Sequence, residues 1–228
     1  MAIVTGAASG IGQATAAILR SQSVRVIGVS RRLANTETTM SCDVGDEGSV
    51  ARVFARVVAQ LGRLDILVNS AAIVAKTEPL EVSVEEWEST LRTNVVGTYL
   101  CCKHAIAPMR KQRYGRIINI SSIAGRSISR SASVVYTSSK YAVIGLTRQL
   151  AARFGQEGIT INCVCPSETL TELFLKNIPK ERQEAMAAAN PLRRLAEPEE
   201  VARVIAFLAS EAASYMNGAV VDVNGGQL

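Results

Sequence analysis

Ile3-Val4-Thr5 is a short apolar run that breaks at Gly6, continues as Ala7-Ala8-Ser9-Gly10-Ile11-Gly12 and turns helical from Gln13 to about Ser21. A strand delivered into a glycine-rich turn and then a helix is a device for holding phosphate. Glycine lets the backbone bend sharply and approach a pyrophosphate, while the first helical turn offers unpaired N–H groups at the positive end of its dipole. The spacing Gly-x3-Gly-x-Gly carries no lysine of the kind that reaches a nucleotide triphosphate, so a dinucleotide is favoured over ATP. The plainer alternative is a tight turn that only closes a helix onto a sheet.

The rest of the chain repeats the alternation. Val24 to Val29 is a strand, apolar apart from Arg25, of the kind covered on both faces in a parallel sheet. Thr39 to Cys42 reads as a weaker third strand and Glu47 to Leu61 as an amphipathic helix. Leu64 to Asn69, Arg116 to Ser121, Ile159 to Val164 and Val220 to Val223 supply four more strands. Between them lie helical stretches at Val84–Leu91, Val95 to roughly Gln112, Tyr136–Phe154 and Glu199–Ser210, with Glu168–Asn190 polar and helical in parts. Short connections and right-handed crossovers then give an α/β fold, a doubly wound (Rossmann) sheet of seven parallel strands with helices on both faces. With no linker, repeat or low-complexity stretch, residues 1–228 read as one domain that binds a dinucleotide and carries the catalysis.

Several function classes are disfavoured. The net charge is +5, but the basic residues are scattered and aromatics are too few to give a stacking surface, so nucleic acid is not an expected partner. No apolar run approaches the length of a membrane span, and no leader precedes the first strand, so a cytoplasmic location is expected. The cysteines (Cys42, Cys101, Cys102, Cys163, Cys165) lack CxxC spacing, and His104 is the only histidine, so no metal is expected. Cys163 and Cys165 alternate with Val164 and should share a strand face as reduced packing residues.

The end of the second strand bears on the cofactor. An acidic residue there would hold the ribose hydroxyls of NAD, whereas this strand closes with Ser30, followed by Arg31 and Arg32. An arginine fork suits a 2′-phosphate, so NADP(H) is favoured and NAD(H) is the alternative. Solvated loop arginines would give the same sequence.

Tyr136 and Lys140 stand at i and i+4 on one helix face. Hydride transfer to a carbonyl builds negative charge on oxygen, which calls for a proton donor and electrostatic support. A neighbouring ammonium favours tyrosinate. Ser121 and Ser122 end the fifth strand, where ligands bind in such sheets, and Asn69 ends the fourth. Asn94 falls inside a helix, where asparagine is unfavourable unless its amide is used. A satisfied buried amide is the plainer account of it, and a group holding water behind Lys140 is the functional one.

Taken in order, these motifs resemble the short-chain dehydrogenase/reductase family over essentially the whole chain. They are Thr5-Gly6-(x3)-Gly10-Ile11-Gly12, Asp43-Val44, Asn69-Ser70-Ala71-Ala72, Asn94, Ser121-Ser122, Tyr136-(x3)-Lys140, Asn162-(x3)-Pro166 and the closing Gly218 with Asn224-Gly225-Gly226. The carboxyl-terminal half, from Asn190-Pro191-Leu192 through Pro198-Glu199-Glu200-Val201-Ala202, is most similar to 3-oxoacyl-[acyl-carrier-protein] reductases and related carbonyl reductases.

The resemblance implies a catalytic tetrad of Asn94, Ser122, Tyr136 and Lys140. Tyr136 would be the acid/base and Ser122 would orient the substrate. Lys140 would lower the tyrosine pKa and grip the nicotinamide ribose, and Asn94 would anchor a relay water. Cofactor contacts are expected from Gly6, Ser9, Gly10, Ile11 and Gly12, from Ser30 and Arg31, and from Asp43 and Val44 at the adenine. Asn69 would serve the adenosine-side ribose region, and Ala71 would also contact the cofactor. Pro166, with Thr169 and Thr171 at the carboxamide and phosphate, completes the set beside Tyr136 and Lys140. The resemblance also implies a homotetramer or a dimer, built through the helices carrying Trp87–Gln112 and Tyr136–Phe154.

The chain departs from the family pattern in places. Ala72 and Ser167 stand where glycine is usual, the Ser122–Tyr136 spacing is one residue longer, and Arg31–Cys42 is too short for the usual helix. None of these deletes a reactive group. A substrate lid is expected over about 168–194, with Leu173, Phe174, Leu175 and Ile178 as an apolar wall. Arg126 and Arg130 would meet an anionic substrate or remain solvated. The expected partner is thus a small ketone or alcohol, or an acyl-carrier substrate. An NAD-dependent alcohol, sugar or cyclic-diol dehydrogenase is the alternative within the family. A regulator that binds dinucleotide without turnover is the alternative outside enzymes.

Overall fold

A computed structural model describes residues 1–75, 77–128 and 132–228. Seven strands, β1 (Ala2–Thr5), β2 (Val26–Val29), β3 (Thr39–Met40), β4 (Ile66–Asn69), β5 (Gly115–Ile120), β6 (Ile159–Pro166) and β7 (Val220–Val223), form one parallel sheet. Their order is β3-β2-β1-β4-β5-β6-β7, so the chain winds outward in both directions from the β1–β4 pair. The longer helices are α1 (Gly10–Ser21), α2 (Glu47–Leu61), α3 (Val84–Leu91), α4 (Gly97–Gln112) and α5 (Val134–Phe154). The short α6 (Glu172–Asn177) and α7 (Lys180–Ala189) and the longer α8 (Pro198–Leu208) follow.

Period-two alternation sends successive strand residues to opposite layers. Ile3, Ile27 and Val29 pack with Phe54 and Val57 of α2 and with Cys101 and Met109 of α4. Ala2, Val4, Val26 and Val68 pack on the other face with Leu19 of α1 and Val201 and Ile205 of α8. Cys163 and Cys165 share one face, as expected, against Val143 and Ile144 of α5. Among the described residues, no helix is long and apolar enough to cross a membrane.

Local chemistry sets the helix ends. Asp46 caps α2 by accepting from Ser49 N at 2.7 Å, and Gly62 closes that helix in the left-handed region at φ 72°. Ser133 caps α5, accepting from Tyr136 N, so this helix begins at Val134 rather than Tyr136.

Two expectations are corrected. The third strand is only Thr39–Met40, because the chain from Arg31 onward is spent on turns in which Thr36 and Asn35 accept backbone bonds. The helix expected from Val95 is preceded by a π-helical turn, Arg92–Val96, which carries Asn94.

Candidate active site

The carboxyl ends of β1, β2, β4, β5 and β6 open onto a cleft of about 890 Å³, at the upper end of the range for ligand pockets. Its floor on one side is the glycine-rich turn. Gly6 has φ +68°, and a Cβ there would lie 2.8 Å from the backbone of Ser70 and Ala71. A Cβ on Gly12 would lie 2.5 Å from Gly6 O. Turn, helix start and the loop after β4 are therefore in backbone contact, which only glycine permits. Ser9 occupies the N-cap of α1 without a capping bond, leaving the first helical N–H groups available to an anion.

Ser30, Arg31 and Arg32 line the neighbouring wall, opposite Asp43 and Val44. Arg31 Nη1 stands 3.8 Å from Asp43 Oδ2, with both side chains largely exposed. Arg32 Nη2 donates to Ser9 Oγ at 2.7 Å and so reaches the phosphate turn. Sequence reasoning named Arg31 as the contact and Arg32 only as its companion, yet Arg32 is the arginine that touches the turn. Cys42 also lines this wall, and no signal in the sequence marked it.

At the other end, Ser122 follows β5 in extended conformation, and its Oγ accepts from Ala124 N at 3.1 Å. The same hydroxyl lies near the Tyr136 side chain and favours its ionised form. Tyr136 is half-buried, and desolvation pushes its phenol up to about 12 despite the opposing influence of the Ser122 hydroxyl. Lys140 is buried, donates to Ile120 O at 2.9 Å and lies 5.5 Å from the centroid of the Tyr136 ring. Desolvation brings its ammonium down to about 8, with the Cys163 and Cys165 thiols acting the other way. The expected lowering of the tyrosine by the lysine is not what governs it: burial is the largest influence on the phenol, and it acts upward. A phenol and an amine displaced in opposite directions in one cleft are a mark of a reactive site.

Three expected site residues do not line the cleft. Gly12 is taken up in the contact with Gly6. The Asn94 amide exchanges two hydrogen bonds with Ile73, donating to its carbonyl at 2.9 Å and accepting from its N–H at 2.8 Å. Asn94 also donates to Ser139 Oγ at 3.0 Å. Asn69, expected at the adenosine-side ribose, instead donates to Asn119 Oδ1 at 2.8 Å inside the sheet, and its own Oδ1 is buried without a protein partner.

Ala71, Pro166, Thr169 and Thr171 all line the cleft. Thr171 caps α6 by accepting from Phe174 N at 3.2 Å, and its Cγ2 lies 2.9 Å from where a Cβ on Gly10 would be. The start of α6 therefore rests on the phosphate turn. Leu173, Phe174 and Ile178 form the apolar wall expected of this segment, whereas Leu175 is half-exposed and does not line the cleft. Arg126, expected to meet an anion or solvent, is paired with Asp222 at 3.0 Å, and Arg130 lies outside the described residues. Glu168 faces the cleft as well, and its place two residues past Pro166 was the signal that could have found it. The uncapped helix start and the backbone cradle at Gly6 and Gly12 fit a dinucleotide laid across these strand ends.

A family model described as enoyl-(acyl carrier protein) reductase matches residues 6–227. The chain is 40% identical over 239 residues to cis-4-hydroxycyclohexanecarboxylate dehydrogenase of Sinomonas cyclohexanicum, covering 99% of this chain and 95% of that protein. It is 36% identical to D-threitol dehydrogenase of Mycolicibacterium smegmatis, covering 99% and 92%. It is 34% identical to 3-oxoacyl-[acyl-carrier-protein] reductase of Vibrio cholerae, covering 99% and 96%. Among solved structures it is similar to ElxO with NADP bound, with a TM-score of 0.92 and 34% identity over 99% of this chain and 97% of that one.

Proposed function

The chain belongs to the short-chain dehydrogenase/reductase family and is an oxidoreductase that transfers hydride between a nicotinamide dinucleotide and a ketone or secondary alcohol; from that premise we propose how its own residues divide the work. The observation that carries the proposal is the meeting of Ser122, Tyr136 and Lys140 in one cleft at the carboxyl end of β5, with the Lys140 ammonium 5.5 Å from the Tyr136 ring.

A bound nicotinamide supplies or accepts the hydride. Tyr136 gives its phenolic proton to the carbonyl oxygen during reduction and takes it back during oxidation. The phenol, pushed up to about 12 by burial, keeps its proton at neutral pH, so the proton for the carbonyl oxygen is in place before hydride transfer. Ser122 holds the same oxygen in reach of Tyr136. Lys140 grips the ribose beside the nicotinamide and, as a cation, steadies the phenolate. Asn94 acts through backbone, fixing the loop after β4 at Ile73 and carrying the relay water.

Ser9, Gly10 and Ile11 would hold the pyrophosphate of the cofactor, with Gly6 and Gly12 letting the turn close tightly enough to reach it. Asp43 and Val44 meet the adenine, Asn69 and Ala71 back the adenosine-side ribose, and Pro166, Thr169 and Thr171 hold the nicotinamide end. NADP(H) is preferred, supported by Ser30 and Arg31 at the end of β2 and by Arg32 bridging to Ser9. Residues 1–228 act as one unit, with 168–194 as the substrate lid. Half-exposed Tyr99 on α4 and Tyr141 on α5 support assembly into a homotetramer through those helices, and five free, buried cysteines suit a cytoplasmic setting.

A second reading, an NAD-dependent polyol or cyclic-alcohol dehydrogenase, is favoured by the names of two relatives, the cis-4-hydroxycyclohexanecarboxylate and D-threitol dehydrogenases. Titration of the purified chain with NADPH and NADH, followed by nicotinamide fluorescence, separates the two. Tight binding of NADPH alone supports the first reading, and preference for NADH supports the second. Dinucleotide binding without turnover of any alcohol or ketone would make the chain a regulator.

A further inference from the structure

Glu168 lies two residues past Pro166, beyond the carboxyl end of β6, and lines the cleft. Strand order tells which end of the cleft this is. Arg31 and Arg32 leave β2 and the glycine-rich turn leaves β1, whereas Ser122 leaves β5 and Glu168 leaves β6, one strand further from the arginines. Neighbouring strands are about 4.8 Å apart. Ser121 N donates to Val164 O at 2.8 Å, so the ends of β5 and β6 stay in step. Glu168 therefore flanks the Ser122–Tyr136 centre on the side away from the adenosine end.

Its carboxylate is held but not neutralised. Gln227 Nε2 donates to Glu168 Oε2 at 3.2 Å, and among the described residues no lysine, arginine or histidine nitrogen lies within 4.0 Å of it. The cleft it lines combines apolar Ile123, Leu173 and Phe174 with polar Ser167, Thr169 and Lys176. An ionised carboxylate is purely an acceptor, so in such a cleft it is completed by hydroxyl donors from a ligand, and it opposes any anion brought to the same place.

We propose that Glu168 is the specificity-determining residue of the cleft, accepting hydrogen bonds from a second hydroxyl of the substrate. The enzyme thereby takes polyhydroxylated alcohols and the corresponding hydroxyketones in preference to substrates with a carboxylate near the reacting carbon. This rests on the reading of Ser122 and Tyr136 as the reacting centre.

The test compares butane-2,3-diol with butan-2-ol, which share the reacting carbon and differ by one hydroxyl. The full chain and its Glu168→Ala and Glu168→Gln variants are assayed with the preferred cofactor. The wild type should favour the diol in kcat/KM by roughly tenfold or more, and Glu168→Ala should bring that ratio close to one. Glu168→Gln, of equal size, should raise kcat/KM for 3-hydroxybutanoate by roughly tenfold. A diol preference unchanged in Glu168→Ala overturns the proposal. Binding is read separately by calorimetric titration of the diol into the oxidised-cofactor complex of Tyr136→Phe, with and without Glu168→Ala. Weaker diol binding on loss of Glu168 supports the proposal even if no alcohol is turned over, an outcome that would refute only the assignment of the reacting centre. Equal binding overturns it.

Discussion

The side-chain amide of Asn94 donates to the Ser139 hydroxyl at 3.0 Å, and that hydroxyl donates onward to the carbonyl of Tyr136 at 2.7 Å. The π-helical turn is thereby tied to the second turn of α5, between the tyrosine and the lysine. Ser139→Ala leaves one Asn94 N–H short of its acceptor in a buried setting, at a cost of about 1–3 kcal/mol. Thermal unfolding should show that loss, with kcat lowered and NADPH affinity retained. An unchanged melting temperature and kcat would mean that the tie is incidental.

Tyr136→Phe removes the proton donor and keeps the ring against Lys140. Turnover should fall by roughly 10²-fold or more, with cofactor affinity nearly intact. Stopped-flow reduction of a ketone checks this, and an unaltered rate would remove Tyr136 from the role of acid/base.

Lys140 gives a pH signature. Burial holds its folded-state pKa at about 8, whereas an exposed lysine titrates at about 10.4. Between these values the unfolded chain carries more protons than the folded one, so this group's contribution to stability rises with pH across that window. Below about pH 8 the cost of burying the ammonium is present in full. Lys140→Met lacks that slope, so its melting temperature relative to wild type should be most favourable below pH 8 and fall back above it. A difference constant over pH would contradict the buried ammonium. NADPH affinity of the wild type should decline as pH rises through 8, while that of the variant stays flat.

Arg31→Ala should weaken NADPH by roughly tenfold or more and NADH by much less, since only the former presents a 2′-phosphate to a guanidinium. Equal losses in fluorescence titrations would count against that contact. Arg32→Ala frees Ser9 and should show the same asymmetry.

Gly12→Ala places a Cβ 2.5 Å from Gly6 O, backbone against backbone, where no side chain can swing aside. Destabilisation of about 1–3 kcal/mol and loss of dinucleotide binding are expected together. Calorimetry and cofactor titration of the variant measure both, and wild-type values in either would argue against close contact at the turn.

Much of this was legible from the chain. The bounds of α2, α3 and β7 follow from apolar periodicity and capping residues, and the order of motifs located the cleft. What periodicity could not reveal were features set by distant partners. The π-helical turn at Arg92–Val96 inserts a residue into the helical register without disturbing the apolar pattern. Asn69 looked like a cleft residue because it ends β4, but its acceptor, Asn119, comes from the adjoining strand β5. Arg126 read as a free cation until β7 brought Asp222 beside it. β3 is an edge strand, and the outward N–H groups of Thr39 and Ser41 are satisfied by Thr36 and Asn35 of the preceding turns, contacts that no periodicity announces.

The segment proposed as a lid has both ends fastened to one short stretch of chain. Asn190, at its far end, donates to Asn224 O at 3.0 Å, and Gln227 donates to Glu168 at its near end. A door hung with both hinges on one post swings as a whole. Changes in residues 224–227 would therefore alter how quickly substrate is admitted and product let go and, because Thr169 and Thr171 ride on the same segment, how firmly the nicotinamide end is held.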